Sequence, residues 1–184
     1  MKRLTSDFEM DRYGLHVRLA NIDDSAFILG LRTNEKLSRF IHSTDDDLLK
    51  QQAWMTEYKK REAEGKDYYF IYERDGCPIG LNRIYDIDED TRICTGGSWI
   101  CAPDTEYEYS VATLLILRDI MFDVLGFDKD QFDVRKQNRL VLRTHRMFGA
   151  KIVGESEADK YLSLKKEDYL KAKDRILQLL NINL

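Results

Sequence analysis

The stretch that decides the fold runs from Gly96 to Gly149 and reads GGSWICAPDTEYEYSVATLLILRDIMFDVLGFDKDQFDVRKQNRLVLRTHRMFG. A strand-like run, Ser98 to Cys101, meets a proline-containing loop, and the loop opens a long amphipathic helix. A second strand, Gln131 to Val134, and a second helix that ends at Phe148-Gly149 follow. This spacing can place a helix N-terminus beside a strand end, which is a favourable place for phosphate groups.

The residues before this stretch predict one strand, two helices and an antiparallel meander. Leu15 to Ala20 alternates apolar and polar residues, as a half-buried strand does, and a helix follows it. A second helix is predicted over roughly residues 46–64. Residues 67–101 predict three antiparallel strands, with a tight hairpin turn at Asp75-Gly76. Residues 1–14 are polar, and we expect them to be loosely ordered.

The residues after the stretch predict a strand hairpin and a closing helix. Ala150 to Gly154 favours a strand, with Tyr161 to Leu164 as its partner, and apolar residues from Leu170 to Leu180 mark the helix. The order of elements predicts a single mixed α/β domain over residues 1–184 whose first half is antiparallel.

Composition narrows the class of function. The chain has 184 residues with 43% hydrophobic and 34% charged content and a net charge of -4, as an ordinary globular protein has. Because nucleic-acid binding needs a concentrated basic surface, nucleic acid is not the expected partner. Cys77, Cys94 and Cys101 form no CxxC pair, so we expect reduced thiols in a cytoplasmic protein rather than a disulfide or a metal site. The sequence shows no signal peptide and no stretch long enough to span a membrane.

Short motifs in a fixed order carry a family resemblance from about Leu15 to Leu164. They are Leu15-His16-Val17-Arg18-Leu19-Ala20 followed by Asp23-Asp24, Phe70-Ile71-Tyr72 with Asp75-Gly76 and Ile79-Gly80, Phe122-Asp123 with Leu125-Gly126-Phe127, Asp133-Val134, Asn138, and His145-Arg146-Met147-Phe148-Gly149-Ala150. In this order the chain resembles the GNAT superfamily of N-acetyltransferases, in the branch of ribosomal-protein (RimJ/RimL-like) and amino-sugar acetyltransferases.

The resemblance implies a mostly antiparallel sheet with a splayed central strand pair and flanking helices. It implies acetyl-CoA as co-substrate, without a metal, between the strands that hold Trp99–Cys101 and Gln131–Val134. The backbone of Trp99, Ile100 and Cys101 would hold the pantetheine arm, and the backbone of Tyr107, Glu108, Tyr109 and Ser110 would hold the pyrophosphate. A primary amine would then attack the thioester directly.

The phosphate loop departs from the family pattern Gln/Arg-x-x-Gly-x-Gly/Ala. The pattern falls on Thr105 to Ser110, where Thr105 replaces the basic or amide residue and Glu108 replaces the first glycine. Together with Asp104 and Glu106, Glu108 places three carboxylates beside an expected polyanion. Like charges at about 4 Å repel by about 1 kcal/mol in water and by about 4 kcal/mol at an intermediate dielectric. The alternative function is therefore a GNAT-fold binding or regulatory module that does not catalyse.

Three residues are candidates for the reaction centre. His145 stands where many relatives place the tyrosine that protonates the leaving thiolate, and its pKa range suits a proton donor; the alternative is a helix-surface histidine. Asn138 matches an asparagine that contacts the pantetheine arm, or it caps a helix. Trp99 lines the acetyl site or is a core tryptophan.

His42 and Trp54 lie in the region that forms the acceptor pocket in this branch. His42 could act as a base or bind substrate there, although a loop histidine without function is the favoured interpretation. The sequence thus predicts an acetyl-CoA-dependent N-acetyltransferase acting on a primary amine. The acceptor is a small molecule such as an amino sugar, or a protein N-terminus. The sequence is compatible with a homodimer, and it identifies neither the acceptor nor the general base.

Overall fold

Eight strands form one sheet in the computed structural model, which describes residues 2–180. The strands are β1 (Glu9–Arg12), β2 (Leu15–Leu19), β3 (Tyr68–Arg74), β4 (Cys77–Asp88), β5 (Ile93–Cys101), β6 (Lys129–Arg135), β7 (Lys151–Glu155) and β8 (Asp159–Lys165). Their spatial order is β1-β2-β3-β4-β5-β6-β8-β7. Among these described strands, β5 and β6 pair in parallel and all other neighbours pair antiparallel.

Helices cover both faces of the sheet. They are α1 (Ser25–Thr33), α2 (Glu35–Ser38), α3 (Leu48–Ala63), α4 (Tyr107–Asp119), α5 (Arg139–Met147) and α6 (Lys166–Leu179). Because side chains alternate along a strand, β3 is buried on both sides: Phe70 and Tyr72 pack in the core with α4 and α6, whereas Tyr69 and Ile71 pack in the core with α1 and α3. The predicted mixed α/β fold is confirmed. Within residues 2–180, no helix is both long and apolar enough to cross a membrane.

The predicted meander and its turn are confirmed. β3, β4 and β5 pair consecutively, and the β3–β4 turn has positive φ at both Asp75 (52°) and Gly76 (76°). Two left-handed residues in a two-residue loop are what a twisted hairpin requires, because they match the twist of the strands they join. The predicted C-terminal hairpin is also found, as β7 and β8.

The expectation that residues 1–14 are loosely ordered is wrong for residues 9–14. β1 pairs with β2 along its whole length, and Tyr13 is buried. The Tyr13 hydroxyl donates to the carboxylate of Asp119 at 2.8 Å. Asp119 is buried in α4 and also accepts from Arg12, Tyr169 and Lys173, each at 2.6 Å. The polar N-terminal segment is held because it supplies donors to a buried charge that lies about a hundred residues away in sequence.

A candidate active site at the splayed strands

The central strands β5 and β6 part soon after they meet. They pair in parallel at only two positions, Ile93 with Lys129 and Cys94 with Asp130. β6 pairs antiparallel with β8 over all of Lys129–Arg135, and β5 pairs antiparallel with β4, so each strand stays paired on its outer side where the two separate. A cleft therefore opens in the middle of the sheet between the second halves of the two strands.

A side chain replaces the backbone acceptor at the point where the strands part. The N–H group of Gly96 donates to Oδ1 of Asp130 at 2.8 Å. The other carboxylate oxygen of Asp130 lies 3.0 Å from Nη2 of Arg118, and both side chains are fully buried. A Cβ atom at Gly96 would lie 2.6 Å from the Met121 methyl group and 3.2 Å from Oδ2 of Asp130, so a larger residue here would displace these two side chains. The Asp130 carboxylate thus satisfies the strand's amide and holds the strands apart.

A β-bulge redirects β5 along the cleft. Leu81 pairs with Ile100 and Arg83 pairs with Gly97, so between these two pairs β5 contains one residue more than β4. Ser98 within the bulge has a φ of 54°. The side chain of Ile100 packs in the core on the α1/α3 face, so its predicted contribution to the cleft is restricted to its backbone.

The cleft brings three of the predicted residues together. Trp99, Asn138 and His145 all line a cavity of about 100 Å³ between the splayed strands. The Trp99 indole N–H donates to Oγ1 of Thr113 at 3.0 Å, which fixes the ring against α4. Asn138 caps α5, because its Oδ1 accepts from the N–H group of Val141 at 3.3 Å. The capping interpretation of Asn138 is therefore confirmed, and the same residue also faces the cleft.

His145 is a buried histidine, so the alternative of a helix-surface histidine is wrong. It is 6% exposed, and its ring lies 4.5 Å from the Phe132 ring, centroid to centroid. Burial, together with the charge of Arg118, lowers the pKa of His145 well below its usual value of 6.5. Nη2 of Arg118 lies 3.3 Å from Nδ1 of His145. Because a guanidinium can only donate, Nδ1 must accept, and the proton of the neutral ring is on Nε2.

The predicted phosphate loop forms the first turn of α4. Helix α4 begins at Tyr107, and its first N–H groups have no intrahelical acceptor. Nη1 of Arg74 donates to Glu106 at 2.9 Å, and the same guanidinium lies 4.0 Å from the centre of the Tyr109 ring. One of the three loop carboxylates is therefore paired with a cation. Sequence reasoning did not find Arg74, because it lies on β3, 32 residues away from Glu106.

A second cavity of about 250 Å³ lies on the α1/α3 face of the sheet. It contains Trp54, one of the two residues predicted for the acceptor pocket. His42, the other one, is not among the residues that line it; its backbone carbonyl accepts from Nη2 of Arg32 at 3.3 Å. The lining residues are Ile28, Arg32, Ser43, Thr44, Gln51, Trp54, Tyr69 and Arg83.

Sequence reasoning also missed the buried pair of Arg118 and Asp130. A signal existed, since Arg118 stands in the apolar run LLILRDIMF, and a charge inside a buried helix requires a partner. The identity of that partner could not be read from the sequence, because Asp130 lies on a different element.

Solved structures share this architecture. FdhC, described as a nucleotide-linked sugar GNAT and solved in the apo form, is 32% identical, with a TM-score of 0.85 over 95% of this chain and 99% of that one. A spermidine N-acetyltransferase from Vibrio cholerae in complex with CoA and spermine is 20% identical, with a TM-score of 0.72 over 86% and 99%. A GCN5-related N-acetyltransferase from Brucella melitensis is 14% identical, with a TM-score of 0.78 over 97% and 87%. No protein-family model and no curated protein sequence matches the chain.

An open sheet that splays at its one described parallel pair, with a helix N-terminus after the first of these strands, defines an acyltransferase scaffold. The identity and coverage shared with FdhC show that the chain belongs to the GNAT superfamily of N-acetyltransferases.

Proposed function

We propose that this enzyme transfers the acetyl group of acetyl-CoA to the primary amine of a small molecule such as an amino sugar. The observation that carries the proposal is the parting of β5 and β6 after two residue pairs. The parting leaves backbone groups of Gly97 to Cys101 without a partner on the β6 side, where an extended chain carrying amides can bind. In this reaction the neutral amine attacks the thioester carbonyl carbon and forms the C–N bond, the C–S bond breaks, and the CoA thiolate leaves and takes up the proton that the amine gives up.

The N-terminal turn of α4 fits the phosphate end of the co-substrate. Its free N–H groups and the positive end of the helix dipole favour an anion. The pairing of Glu106 with Arg74 lowers the negative charge that this anion would meet. Tyr107, Glu108 and Tyr109 would contribute through their backbone, as the family pattern implies, whereas the N–H group of Ser110 already donates to the carbonyl of Glu106 at 3.0 Å. Glu108 is the remaining unfavourable side chain.

His145 would act as a neutral hydrogen-bond donor rather than as an imidazolium acid. Its pKa is held well below 6.5, so the ring is uncharged at neutral pH. The contact of Nδ1 with Arg118 leaves Nε2–H as the group that can donate to charge developing on the reacting thioester. Arg118 is a positioning residue in this scheme, because it fixes the tautomer and the orientation of the ring.

An amino-sugar acceptor is favoured by the relative with the higher identity. FdhC is described as a nucleotide-linked sugar GNAT, whereas the spermidine acetyltransferase, bound to CoA and spermine, is only 20% identical. A non-catalytic binding module is the second candidate, and Glu108 at the phosphate loop favours it.

The proposal is tested by titration calorimetry with acetyl-CoA and by thiol release during turnover with a panel of amines. We expect saturable binding of acetyl-CoA and release of free CoA that depends on an amino sugar. Thiol release should fall when His145 is replaced by phenylalanine, a ring without a donor. If acetyl-CoA does not bind even at millimolar concentration, the transferase proposal fails. Binding without turnover on any amine favours the second candidate.

A further inference from the structure

The cavity of about 250 Å³ on the α1/α3 face has a distinctive charge. Two arginines, Arg32 and Arg83, line it, and none of its lining residues is a carboxylate. Arg32 contacts only neutral oxygens: its Nε donates to Oγ1 of Thr44 at 2.7 Å, and its Nη2 donates to the carbonyl of His42 at 3.3 Å. No ion pair within residues 2–180 neutralises its charge. A guanidinium that faces a cavity without a counter-ion favours an anionic ligand.

The second arginine is only partly neutralised. Arg83 pairs with Asp67, with Nη2 and Oδ2 2.5 Å apart, and Arg61 pairs with the same carboxylate at 3.1 Å. The single negative charge of Asp67 is therefore shared by two guanidinium groups. The lining residues, taken together with Arg61 and Asp67, carry a net positive charge, which disfavours a polyamine in this position.

A buried hydroxyl points to the same ligand chemistry. Tyr69 lines the cavity and is 1% exposed, yet its O–H group has no acceptor among the described residues. Cζ of Arg83 lies 5.5 Å from the centre of the Tyr69 ring, and Arg32 lines the same cavity. Burial raises the pKa of Tyr69, whereas the charges of Arg32 and Arg83 and a hydrogen bond from Arg32 lower it. A guanidinium can only donate, so the buried O–H group still lacks an acceptor, and a phosphate oxygen between the two arginines would supply one.

The cavity adjoins the cleft where the reaction would take place. Arg83 pairs with Gly97 across β4 and β5, and Gly97 lines the cleft. The segment after α2 also reaches both sites: Phe40 and Ile41 line the cleft, and Ser43 and Thr44 line the cavity. A cavity of about 250 Å³ is slightly smaller than pockets that enclose a whole drug-sized ligand, roughly 300–1,000 Å³, so it fits one part of a larger acceptor.

We propose that Arg32, Arg83 and the Tyr69 hydroxyl form a phosphate subsite, which binds the phosphate-bearing part of an amino-sugar acceptor while its amine faces the cleft between β5 and β6. This inference rests on the proposed acetyl transfer for the identity of the acceptor. The phosphate belongs either to a sugar phosphate or to a nucleoside diphosphate attached to the sugar. Both sources present the same chemistry to the two guanidinium groups.

The binding test uses uridine diphosphate as the probe, titrated by calorimetry in the presence of saturating CoA so that the probe cannot occupy the co-substrate site. We expect the wild type to bind the probe, and Arg32→Gln to weaken its affinity roughly 10- to 100-fold, the loss typical of a charge-assisted hydrogen bond. Lys60→Gln is the matched control, since Lys60 is an exposed cation of α3 that pairs with Glu57, and it should leave the affinity unchanged.

Tyr69→Phe separates binding from folding. Because the O–H group has no acceptor among residues 2–180, removal of the hydroxyl should leave the melting temperature unchanged or raise it. It should nevertheless weaken the affinity for uridine diphosphate about fivefold, as the loss of one hydrogen bond does. A fall in melting temperature without a change in affinity would overturn the role of Tyr69, because it would show that the hydroxyl serves only the fold.

The source of the phosphate is distinguished by comparing uridine diphosphate with glucosamine 6-phosphate. Tighter binding of the first supports a nucleotide-linked acceptor, equal or tighter binding of the second supports a sugar phosphate, and either result supports the subsite if Arg32→Gln weakens it. The proposal is overturned if neither probe binds, if Arg32→Gln binds both as well as the wild type does, or if spermine competes with uridine diphosphate and binds more tightly. Should CoA itself fail to bind, acetyl transfer is excluded, whereas probe binding that depends on Arg32 would still support the subsite.

Discussion

Oδ1 of Asp130 accepts a hydrogen bond from the N–H group of Gly96 at 2.8 Å. A backbone carbonyl of β6 would accept this hydrogen bond if the parallel pairing of β5 and β6 continued. The same carboxylate compensates the fully buried guanidinium of Arg118. The geometry of the cleft and the charge balance of the core therefore depend on one side chain.

Replacing Asp130 with alanine should destabilise the protein by about 3–5 kcal/mol, because it leaves Arg118 buried without a counter-charge. Urea unfolding measures the loss. The double variant Asp130→Ala with Arg118→Met removes both charges, and it should be more stable than the single Asp130→Ala variant. If the double variant is destabilised by the sum of the two single-variant losses, the ion pair is not the reason that Asp130→Ala destabilises the protein.

His145 should make the folded protein less stable as the pH falls below neutral. Its pKa in the folded state is well below the unfolded value of 6.5, so only the unfolded state takes up a proton as the pH passes through 6.5. This effect is negligible near pH 8, and the free energy of unfolding should fall by about 0.8 kcal/mol between about pH 8 and about pH 6.

The measurement for His145 compares urea unfolding of the wild type and of His145→Gln across this pH range. The variant should lack this part of the pH dependence. Burial raises the pKa of Asp130 to about 6, which acts in the opposite direction, and its contribution remains in both proteins. Parallel pH profiles for the two proteins would contradict the buried, neutral state of His145.

The two glutamates of the phosphate loop should differ in their effect on CoA. Glu108→Gln removes a carboxylate beside the expected phosphates, and it should raise the affinity for acetyl-CoA about two- to fivefold. Glu108→Gly should raise it further, because glycine lets the backbone approach the phosphate more closely. Calorimetry at low salt, where screening is weak, gives the comparison.

Glu106→Gln serves as the contrast, because Glu106 is already paired with Arg74. Both substitutions remove one negative charge from the same turn of chain. Equal gains in affinity would mean that the Arg74 pair does not offset the charge of Glu106. A lower affinity in Glu108→Gln would contradict the assignment of this turn to the phosphates.

The N-terminal segment should contribute measurably to stability. Tyr13→Phe removes one donor to the buried carboxylate of Asp119, and we expect a loss of about 1–2 kcal/mol. Tyr107→Phe removes a hydroxyl from a side chain that is 54% exposed, and it should change stability by less than about 0.5 kcal/mol. Equal effects of the two substitutions in thermal unfolding would show that the hydrogen bond from Tyr13 is not stabilising.

Local patterns were sufficient to predict most of the fold. The Asp75-Gly76 turn and the alternation of Leu15 to Leu19 specify their structures within a few residues, and the described chain has both. The sequence did not predict that β1 and the residues after it are ordered, because their stabilising partner, Asp119, lies far away in sequence. A local pattern carries no information about such a contact.

The candidate site was predicted less completely. Trp99, Asn138 and His145 all line the cleft, yet the burial of His145 and its contact with Arg118 depend on packing between elements. Arg32 and Arg83 lie 51 residues apart in the sequence. Charges that converge from a helix and a strand leave no signature in spacing, and only the assembled sheet reveals them.

The short contact between β5 and β6 also has a mechanical consequence. Two residue pairs join a five-stranded half of the sheet, β1 to β5, to a three-stranded half, β6, β8 and β7. Resistance to a change in the angle between the halves is therefore concentrated in those pairs, the Asp130 carboxylate and the packing of α4. A molecule that bridges the cleft would stiffen the sheet across this junction. Binding of that molecule and the rigidity of the enzyme are therefore coupled at the shortest strand pairing of the described sheet.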